Sequence, residues 1–163
     1  MDKLWAPWRV TYLQKLNRKT KGCVFCRIHR SKQDKKNYII LRSQHAFAVL
    51  NIYPYNNGHV LIVANRHVGE LAKLSRDEKL DLLSLAEKTK ALLDKAIQPA
   101  GYNIGMNLGR VAGAGFPGHL HIHIVPRWSG DINFMPVIAQ TKVISQSLNE
   151  LWKCLTQYAN AKK

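Results

Sequence analysis

The chain has 163 residues, which suits one domain large enough to bury a continuous core. Its hydrophobic fraction of 46% and charged fraction of 21% indicate a globular protein. The sequence contains no run of about 18 apolar residues, the length needed to span a membrane. The first nine residues lack the apolar stretch of a signal peptide, and three cysteines fit poorly with a secreted disulfide framework. We therefore expect a cytoplasmic protein.

The net charge of +15 is concentrated near the N-terminus. Residues 1–42 carry 12 Lys or Arg against 2 Asp or Glu, whereas residues 43–163 carry 13 against 8. Such a field attracts polyanions, but it is equally typical of a solvated surface. Because no RNA- or DNA-binding motif accompanies these residues, nucleic acid is not the expected partner. We predict one domain over residues 1–163, with a basic N-terminal segment over residues 1–37.

From Tyr38 onwards the composition changes and predicts a series of strands. Apolar and β-branched residues predict strands over 38–41, 46–52 and 59–64, with a turn over 54–58. The strand over 59–64 is apolar almost throughout, which indicates burial on both of its faces.

Ser75 and Glu78 form a capping-box pattern, which predicts the start of the main helix. Apolar residues then recur at helical spacing as far as Pro99. Further along we predict a strand, a glycine-containing loop, a histidine-rich strand that ends at Pro126 and a last helix, over 102–108, 111–118, 119–125 and within 137–158. For the last helix the apolar positions are Ile138, Val143, Ile144, Leu148, Leu151, Trp152 and Leu155. The fold class is therefore α+β, an antiparallel sheet of about five strands with one main helix and a C-terminal helix.

Three histidines alternate with apolar residues in the predicted strand over 119–125. Alternate side chains of a strand share a face, so His119, His121 and His123 point one way while the apolar residues point into the core. Adjacent imidazoles on a half-buried strand are costly unless each has a partner, which favours a functional role over packing. One zinc ion held by all three is disfavoured, since residues i and i+4 of a strand lie about 13 Å apart.

Nucleophilic catalysis at phosphorus is the chemistry that this pattern favours. A neutral imidazole has an available lone pair near neutral pH, because its ordinary pKa is about 6.5. The neighbouring histidines would orient the attacking ring and donate hydrogen bonds to phosphate oxygens. In the preceding loop, Gly113 and Gly115 would let backbone N–H groups approach an anion.

The run His119-Leu120-His121-Ile122-His123-Ile124-Val125 resembles the signature of the histidine triad (HIT) family, His-φ-His-φ-His-φ-φ with φ apolar. The resemblance implies that His121 is the nucleophile and that His119 and His123 support it. The segment 58–63 is similar to the family's strand with a fourth histidine, here His59, which we interpret as a partner of the triad.

The resemblance also implies nucleotide contacts elsewhere in the chain. Asn51 matches the ribose-binding position, and Asn107 matches an asparagine on the phosphate side. Phe25 and Ile52 match the apolar residues that contact the base. Trp128 could stack on a base as well, although packing in the core or at a dimer interface is an equal alternative.

Three segments, 5–9, 113–115 and 126–136, are similar to the diadenosine tetraphosphate phosphorylase branch of the family. Family hydrolases carry Gln-Ser or Gln-Thr shortly before the triad, whereas Gly115 and Phe116 stand here. This departure removes side-chain donors and favours inorganic phosphate over water as the acceptor.

The resemblance thus implies a homodimeric enzyme without an organic cofactor. Its substrates would be adenine nucleotides of the dinucleoside polyphosphate class, cleaved by phosphorolysis or hydrolysis through a covalent nucleotidyl-histidine. An adenosine phosphoramidate hydrolase and a non-enzymatic module that binds nucleotides or nucleic acid remain the alternatives.

Cys23 and Cys26 have the spacing of half a zinc site, and an empty, reduced thiol pair is the alternative. A similarity to zinc-bearing relatives, including galactose-1-phosphate uridylyltransferases, suggests His67 and His119 as the remaining ligands. A structural zinc of this kind would leave His121 free.

Overall fold

The computed structural model of the protein describes residues 22–132 and 143–161. In these ranges the helices are α1 (Val24–Ser31), α2 (Asp34–Asn37), α3 (Arg76–Ile97) and α4 (Leu148–Asn160), with a short 3-10 helix at Leu71–Lys73. The strands are β1 (Ile39–Arg42), β2 (Ala46–Leu50), β3 (Val60–Ala64), β4 (Gly101–Gly105) and β5 (His121–Arg127).

The five strands form one antiparallel sheet in the order β1-β2-β3-β5-β4. This confirms the predicted α+β class and the number of strands. β3 occupies the centre, and all five of its residues are buried, as its apolar sequence predicts. The central position sets β3 directly beside β5, which carries two of the three histidines.

One face of the sheet is covered by α3 and α4, and the main core lies between them. The predicted capping box starts α3, since the Glu78 N–H donates to Ser75 Oγ at 3.1 Å and the Ser75 N–H donates back to the Glu78 carboxylate at 2.8 Å. Leu120, Ile122 and Ile124 point into this core, as predicted from their alternation with the histidines.

The other face of the sheet carries a smaller apolar cluster and the helix α1. Its buried members are Phe25, Ile39, Phe47, Val49, Leu61 and Val63. We did not predict α1 from the sequence, because only Phe25 of its eight residues is buried and the rest resemble a solvated basic stretch. Within the predicted basic segment, the structure describes residues 22–37, which include α1 and α2.

The C-terminal helix begins later than predicted. Ser147 caps α4 with Glu150 in a second capping box, so the helix starts at Leu148. Val143 and Ile144, which we assigned to this helix, precede it, and the assignment was wrong for both. Ile138 lies outside the described residues, as do the tryptophans of segment 5–9.

The boundaries of β4 and β5 also differ from the prediction. β4 ends at Gly105 rather than at residue 108, and β5 begins at His121, so His119 precedes the strand. β5 continues through Pro126 because its pairing with β3 stops at Ile124, and β4 is the one described strand that lies beside it further on. Within the two described ranges, we find no helix with the length and apolarity needed to cross a membrane.

Candidate active site

The sheet brings four histidines, His59, His119, His121 and His123, to the face that α1 partly covers. His121 pairs with Val63 and His123 with Leu61 across β3, while His59 immediately precedes that strand. Imidazole rings of His121 and His123 lie 5.0 Å apart, and those of His59 and His123 lie 5.2 Å apart. Three of the four histidines are buried, so their protonation depends on the protein groups around them: His59, His119 and His121.

The proton of the middle histidine has a fixed position. His121 Nδ1 lies 2.8 Å from the backbone oxygen of His119, and a carbonyl can only accept, so Nδ1 carries the hydrogen. Burial lowers the pKa of His121 below the ordinary value for histidine, which favours the neutral ring. The lone pair of His121 is therefore on Nε2.

A second fixed tautomer joins His59 to His123. The backbone N–H of Tyr55 donates to His59 Nδ1 at 3.0 Å, which places the hydrogen of His59 on Nε2. That N–H donates to His123 Nδ1 at 3.0 Å, so the hydrogen of a neutral His123 is on its own Nε2. Burial lowers the pKa of His59 to about 3, with smaller effects from His123 and His121, and keeps His59 neutral.

Tyr55 and Ala64 complete these arrangements, and the sequence analysis missed both. The Tyr55 ring stacks on His123 with centroids 5.7 Å apart and an interplanar angle of 6°. His119 Nε2 donates to the Ala64 carbonyl at 2.7 Å. Tyr55 lies in a predicted turn, and the Ala64 group is backbone, so neither had a distinguishing sequence signal.

Phe25 forms a wall of the site. Its ring centroid lies 5.3 Å from His119, 5.2 Å from His121 and 5.3 Å from Phe116. The structure thus places the predicted base-contacting Phe25 against the predicted nucleophile. Ile52, the second predicted base contact, is 56% exposed.

The two predicted asparagine contacts, Asn51 and Asn107, are both half-buried. Asn51 Nδ2 lies 3.3 Å from His59 Nδ1, and its Oδ1 accepts from the Tyr53 N–H at 2.9 Å. Asn107 follows β4 two residues after Gly105, which pairs with His123. Their contacts with ribose and phosphate stay predictions.

In the glycine loop, part of the predicted anion contact already has a partner. Gly113 adopts φ +90° and its N–H donates to the Arg110 carbonyl at 3.0 Å within a turn. Gly115 offers no side chain, and Phe116 packs on Phe25. Neither residue therefore presents a side-chain hydrogen-bond donor at this point of the loop.

Trp128 is not brought to the histidines within this chain. It lies seven residues beyond His121 along an extended strand, a span of about 23 Å. Its Nε1 donates to the Gln98 carbonyl at 3.1 Å, beyond the end of α3.

Two thiols and two imidazoles meet beside the triad. The ligating atoms of Cys23, Cys26, His67 and His119 all lie within 4.8 Å of one another. His119 Nδ1 is 3.2 Å from Cys23 Sγ, 3.6 Å from Cys26 Sγ and 3.3 Å from His67 Nδ1. The structure thus brings together all four residues that the zinc-bearing relatives suggested.

The donor set suits a tetrahedral metal ion. Zinc bonds of 2.0–2.3 Å require separations of about 3.3–3.8 Å between ligand atoms, and the three distances from His119 Nδ1, 3.2, 3.6 and 3.3 Å, are close to this range. The Ala64 carbonyl fixes the hydrogen of His119 on Nε2, and Nδ1 then points a lone pair into the cluster. These residues could therefore hold a metal ion, with His67 on the loop after β3 and the thiols at the start of α1.

Alternating histidines beside the central strand of an antiparallel sheet, with an unprotonated ring nitrogen on the middle one, are the features of the histidine triad class. The chain belongs to this family, because the HIT domain matches residues 32–130. This confirms the resemblance identified from the sequence.

Individual relatives agree with this assignment. A Mycobacterium tuberculosis protein named AP-4-A phosphorylase is 36% identical over 98% of this chain and 85% of its own length. Schizosaccharomyces pombe adenosine 5'-monophosphoramidase hnt1 is 34% identical over 65% of this chain and 74% of its own length. A zinc-bound histidine triad family protein from Mycobacterium smegmatis shares the fold, with a TM-score of 0.69 at 20% identity, over 87% of this chain and 98% of that chain.

Proposed function

We propose that this chain transfers nucleotidyl groups from dinucleoside polyphosphates, such as diadenosine tetraphosphate, through a covalent nucleotidyl-histidine at His121. The observation that carries the proposal is the His121 tautomer, which leaves Nε2 unprotonated. Among residues 22–132 and 143–161, no group hydrogen-bonds to this nitrogen. In contrast, His119 uses Nε2 on Ala64 and Nδ1 in the cluster, and His123 Nδ1 accepts from His59. The relative named AP-4-A phosphorylase supports the substrate class.

The reaction has two displacements at one phosphorus. In the first, His121 Nε2 attacks the α-phosphorus, the new P–N bond forms and the P–O bond to the leaving nucleotide breaks. In this proposal the Nε2–H of His123, the tautomer that the hydrogen bond from His59 favours, donates to phosphate oxygens as negative charge develops. In the second, an oxygen of phosphate or water attacks phosphorus, the P–N bond breaks and its electron pair returns to His121.

Inorganic phosphate is the acceptor that we propose. The reaction of diadenosine tetraphosphate then yields ATP from the first displacement and ADP from the second, whereas water would yield ATP and AMP. Gly115 and Phe116 support this choice, because neither supplies the side-chain donors found in the family hydrolases.

The remaining contacts belong to the same proposal. Phe25 and Ile52 contact the base, Asn51 the ribose, and Asn107 and the loop glycines the phosphates. Because Trp128 lies about 23 Å from His121 along the chain, we assign its nucleotide contact to a second copy of the chain. The homodimer is supported by β4, an edge strand in the described sheet whose Ile104 is exposed. Cytoplasmic location stays a prediction.

We also propose that the metal is zinc, held by Cys23, Cys26, His67 and His119. When bound, zinc would supply four strong bonds that tie the start of α1 to His67 and to His119, two residues before β5. No step of the reaction passes through it, because the chemistry at phosphorus belongs to His121 and His123. Elemental analysis of the purified protein should find one equivalent of zinc, and an apo protein that binds no zinc would contradict this assignment.

One incubation tests the proposed activity. The protein is mixed with diadenosine tetraphosphate with and without inorganic phosphate, and the products are separated. ADP and ATP that appear only with phosphate support phosphorolysis, AMP and ATP indicate hydrolysis, and absence of turnover contradicts the enzyme. His121→Asn should abolish the covalent nucleotidyl adduct seen by mass spectrometry. The control is His45→Asn, which should keep the adduct, because His45 lies in the turn between β1 and β2 and its backbone N–H donates to Asp81.

Adenosine phosphoramidate hydrolysis is the second candidate, and the Schizosaccharomyces pombe relative supports it. The same nucleophile would break a P–N rather than a P–O bond. Turnover of adenosine 5'-phosphoramidate that is faster than that of the tetraphosphate, and independent of phosphate, would favour this reaction. Nucleotide or oligonucleotide binding that is unchanged in His121→Ala, without turnover in either protein, would indicate the non-enzymatic alternative.

A further inference from the structure

A single residue, His119, belongs to both the metal cluster and the nucleophile. Its side chain points Nδ1 at the thiols, 3.2 Å from Cys23 Sγ and 3.6 Å from Cys26 Sγ. Its backbone oxygen accepts the hydrogen bond that fixes the His121 tautomer, at 2.8 Å. A displacement of His119 must therefore change the orientation of the His121 ring.

Phe25 provides a second connection between the cluster and the nucleophile. It lies between the two cysteines in the sequence, at the start of α1, and its ring is buried against both His119 and His121. A metal that holds the thiols of Cys23 and Cys26 therefore also holds the Phe25 ring, against which the His121 ring packs.

Without a cation, only weak bonds would hold the four cluster residues together. Thiols are poor donors, and the two facing imidazole nitrogens of His67 and His119 are 3.3 Å apart. Four coordinate bonds replace these weak contacts when a metal is bound. The Ala64 carbonyl holds His119 Nε2 at 2.7 Å with or without a metal, and the coordinate bond at Nδ1 adds a second strong hold on the same ring.

We propose that metal binding at the cysteine–histidine cluster sets the orientation of His121 through His119 and Phe25, and so controls the rate of the nucleophilic step. This inference rests on the proposed function for its effect on rate. His119 is a positioning residue in this scheme, since it acts through His121. Misplacement of a nucleophile by about 1 Å can cost a hundredfold in rate, so a small displacement suffices.

The first experiment compares zinc-loaded protein with protein depleted by a chelator. We expect kcat for diadenosine tetraphosphate to fall by about tenfold to a hundredfold on depletion, with a much smaller change in KM, and to recover with added zinc. Long-range proton–nitrogen spectra of histidine-labelled protein, without substrate, should show the Nδ1–H form of His121 only in the loaded protein. The His121→Asn variant assigns that signal.

A matched pair of variants separates metal ligation from the presence of an imidazole. His119→Cys keeps a zinc ligand and the backbone carbonyl, whereas His119→Ala keeps only the carbonyl. We expect the Cys variant to bind zinc and to retain more of kcat and of the His121 signal than the Ala variant. Cys154→Ser is the control, because this half-buried thiol lies on α4 and contacts the Ala96 carbonyl.

Two results would overturn the inference. One is a metal-depleted protein that stays folded by circular dichroism and keeps both kcat and the His121 signal. If depletion instead unfolds the chain, the two variants decide. The second overturning result is then a His119→Cys protein that is folded and binds zinc but shows no more His121 signal than His119→Ala. Failure of the proposed function looks different, because zinc would then still change the His121 spectrum while no condition gives turnover of the tetraphosphate.

Discussion

His59 donates a hydrogen bond to His123, from Nε2 to Nδ1 over 3.0 Å, and the backbone sets its direction. The Tyr55 N–H occupies His59 Nδ1, so the hydrogen of His59 can lie only on Nε2 in the neutral ring. His123 in turn presents an N–H from Nε2. His59 thus decides which ring nitrogen of His123, the last triad histidine, carries the hydrogen that His123 can donate.

Removing this partner should slow the reaction more than it weakens substrate binding. In His59→Ala, His123 would lose its fixed tautomer, and we expect kcat to fall by about tenfold to a hundredfold with little change in KM. Steady-state rates with diadenosine tetraphosphate measure the effect. His45→Ala is the control, and a His59→Ala variant with the rate of that control would show that the hydrogen bond does not matter for turnover.

His59 should also make the folded state sensitive to acid. Its pKa is about 3 in the folded chain and about 6.5 when unfolded, so below pH 6.5 the unfolded chain binds a proton that the folded chain does not. The free energy of unfolding should therefore fall as the pH drops from 6.5 towards 3, by up to about 1.4 kcal/mol per pH unit from this ring.

Urea unfolding at several pH values measures that slope. His59→Gln should flatten the curve between pH 6.5 and 4, even if it lowers stability at pH 7. His45→Gln controls for the removal of an imidazole. Equal slopes in the wild type and in His59→Gln would refute the assigned cause.

The first turn of α3 depends on the carboxylate of Glu78. Hydrogen bonds from Arg66, at 2.8 Å to each oxygen, lower the pKa of Glu78 to about 2, and the Ser75 N–H contributes. Since the folded-state pKa is depressed, this stabilisation is present above pH 4.5 and is lost as the pH falls towards 2. Glu78→Gln keeps the shape of the cap and should cost about 1–2 kcal/mol at pH 7.

The exposed Glu87 on the same helix offers the matched control. Glu87→Gln should change the free energy of unfolding by less than about 0.5 kcal/mol. If the two variants were equally stable at pH 7, the ion pair between Arg66 and Glu78 would contribute nothing beyond a solvated charge.

The sequence was sufficient for the sheet and the long helix because their signals are periodic and local. Alternation predicted which face Ile122 occupies, and a capping box predicted the first turn of α3. The start of α4 could have been found in the same way, from Ser147 and Glu150, but the apolar positions of residues 137–146 suggested an earlier one. α1 could not be found from periodicity, since one buried phenylalanine in eight residues makes no pattern.

The site was predictable in its residues but not in its hydrogen bonds. Histidines at alternate positions signalled a nucleophile, and two cysteines at metal spacing signalled half of a cluster. The tautomers of His121 and His59 depend instead on backbone groups of His119 and Tyr55, which every residue type shares. Only the folded chain brings those groups within hydrogen-bonding distance.

A substitution at Gly69, which is not a metal ligand, should disturb the metal cluster. A Cβ at Gly69 would lie 2.7 Å from the Pro117 carbonyl oxygen and 3.1 Å from Gly118 Cα, so Gly69→Ala must push apart the loop after β3 and the residues just before the triad. His67 lies on the first of these loops and His119 follows the second, and their Nδ1 atoms should then separate beyond the 3.3 Å found here. We expect a loss of about 1–3 kcal/mol in the free energy of unfolding and weaker zinc binding in competition with a chromophoric chelator. Gly101→Ala is the control and should bind zinc as the wild type does, because a Cβ there meets nothing within 4 Å. A Gly69→Ala protein with the same zinc affinity as Gly101→Ala would show that the two loops move apart without disturbing the ligands.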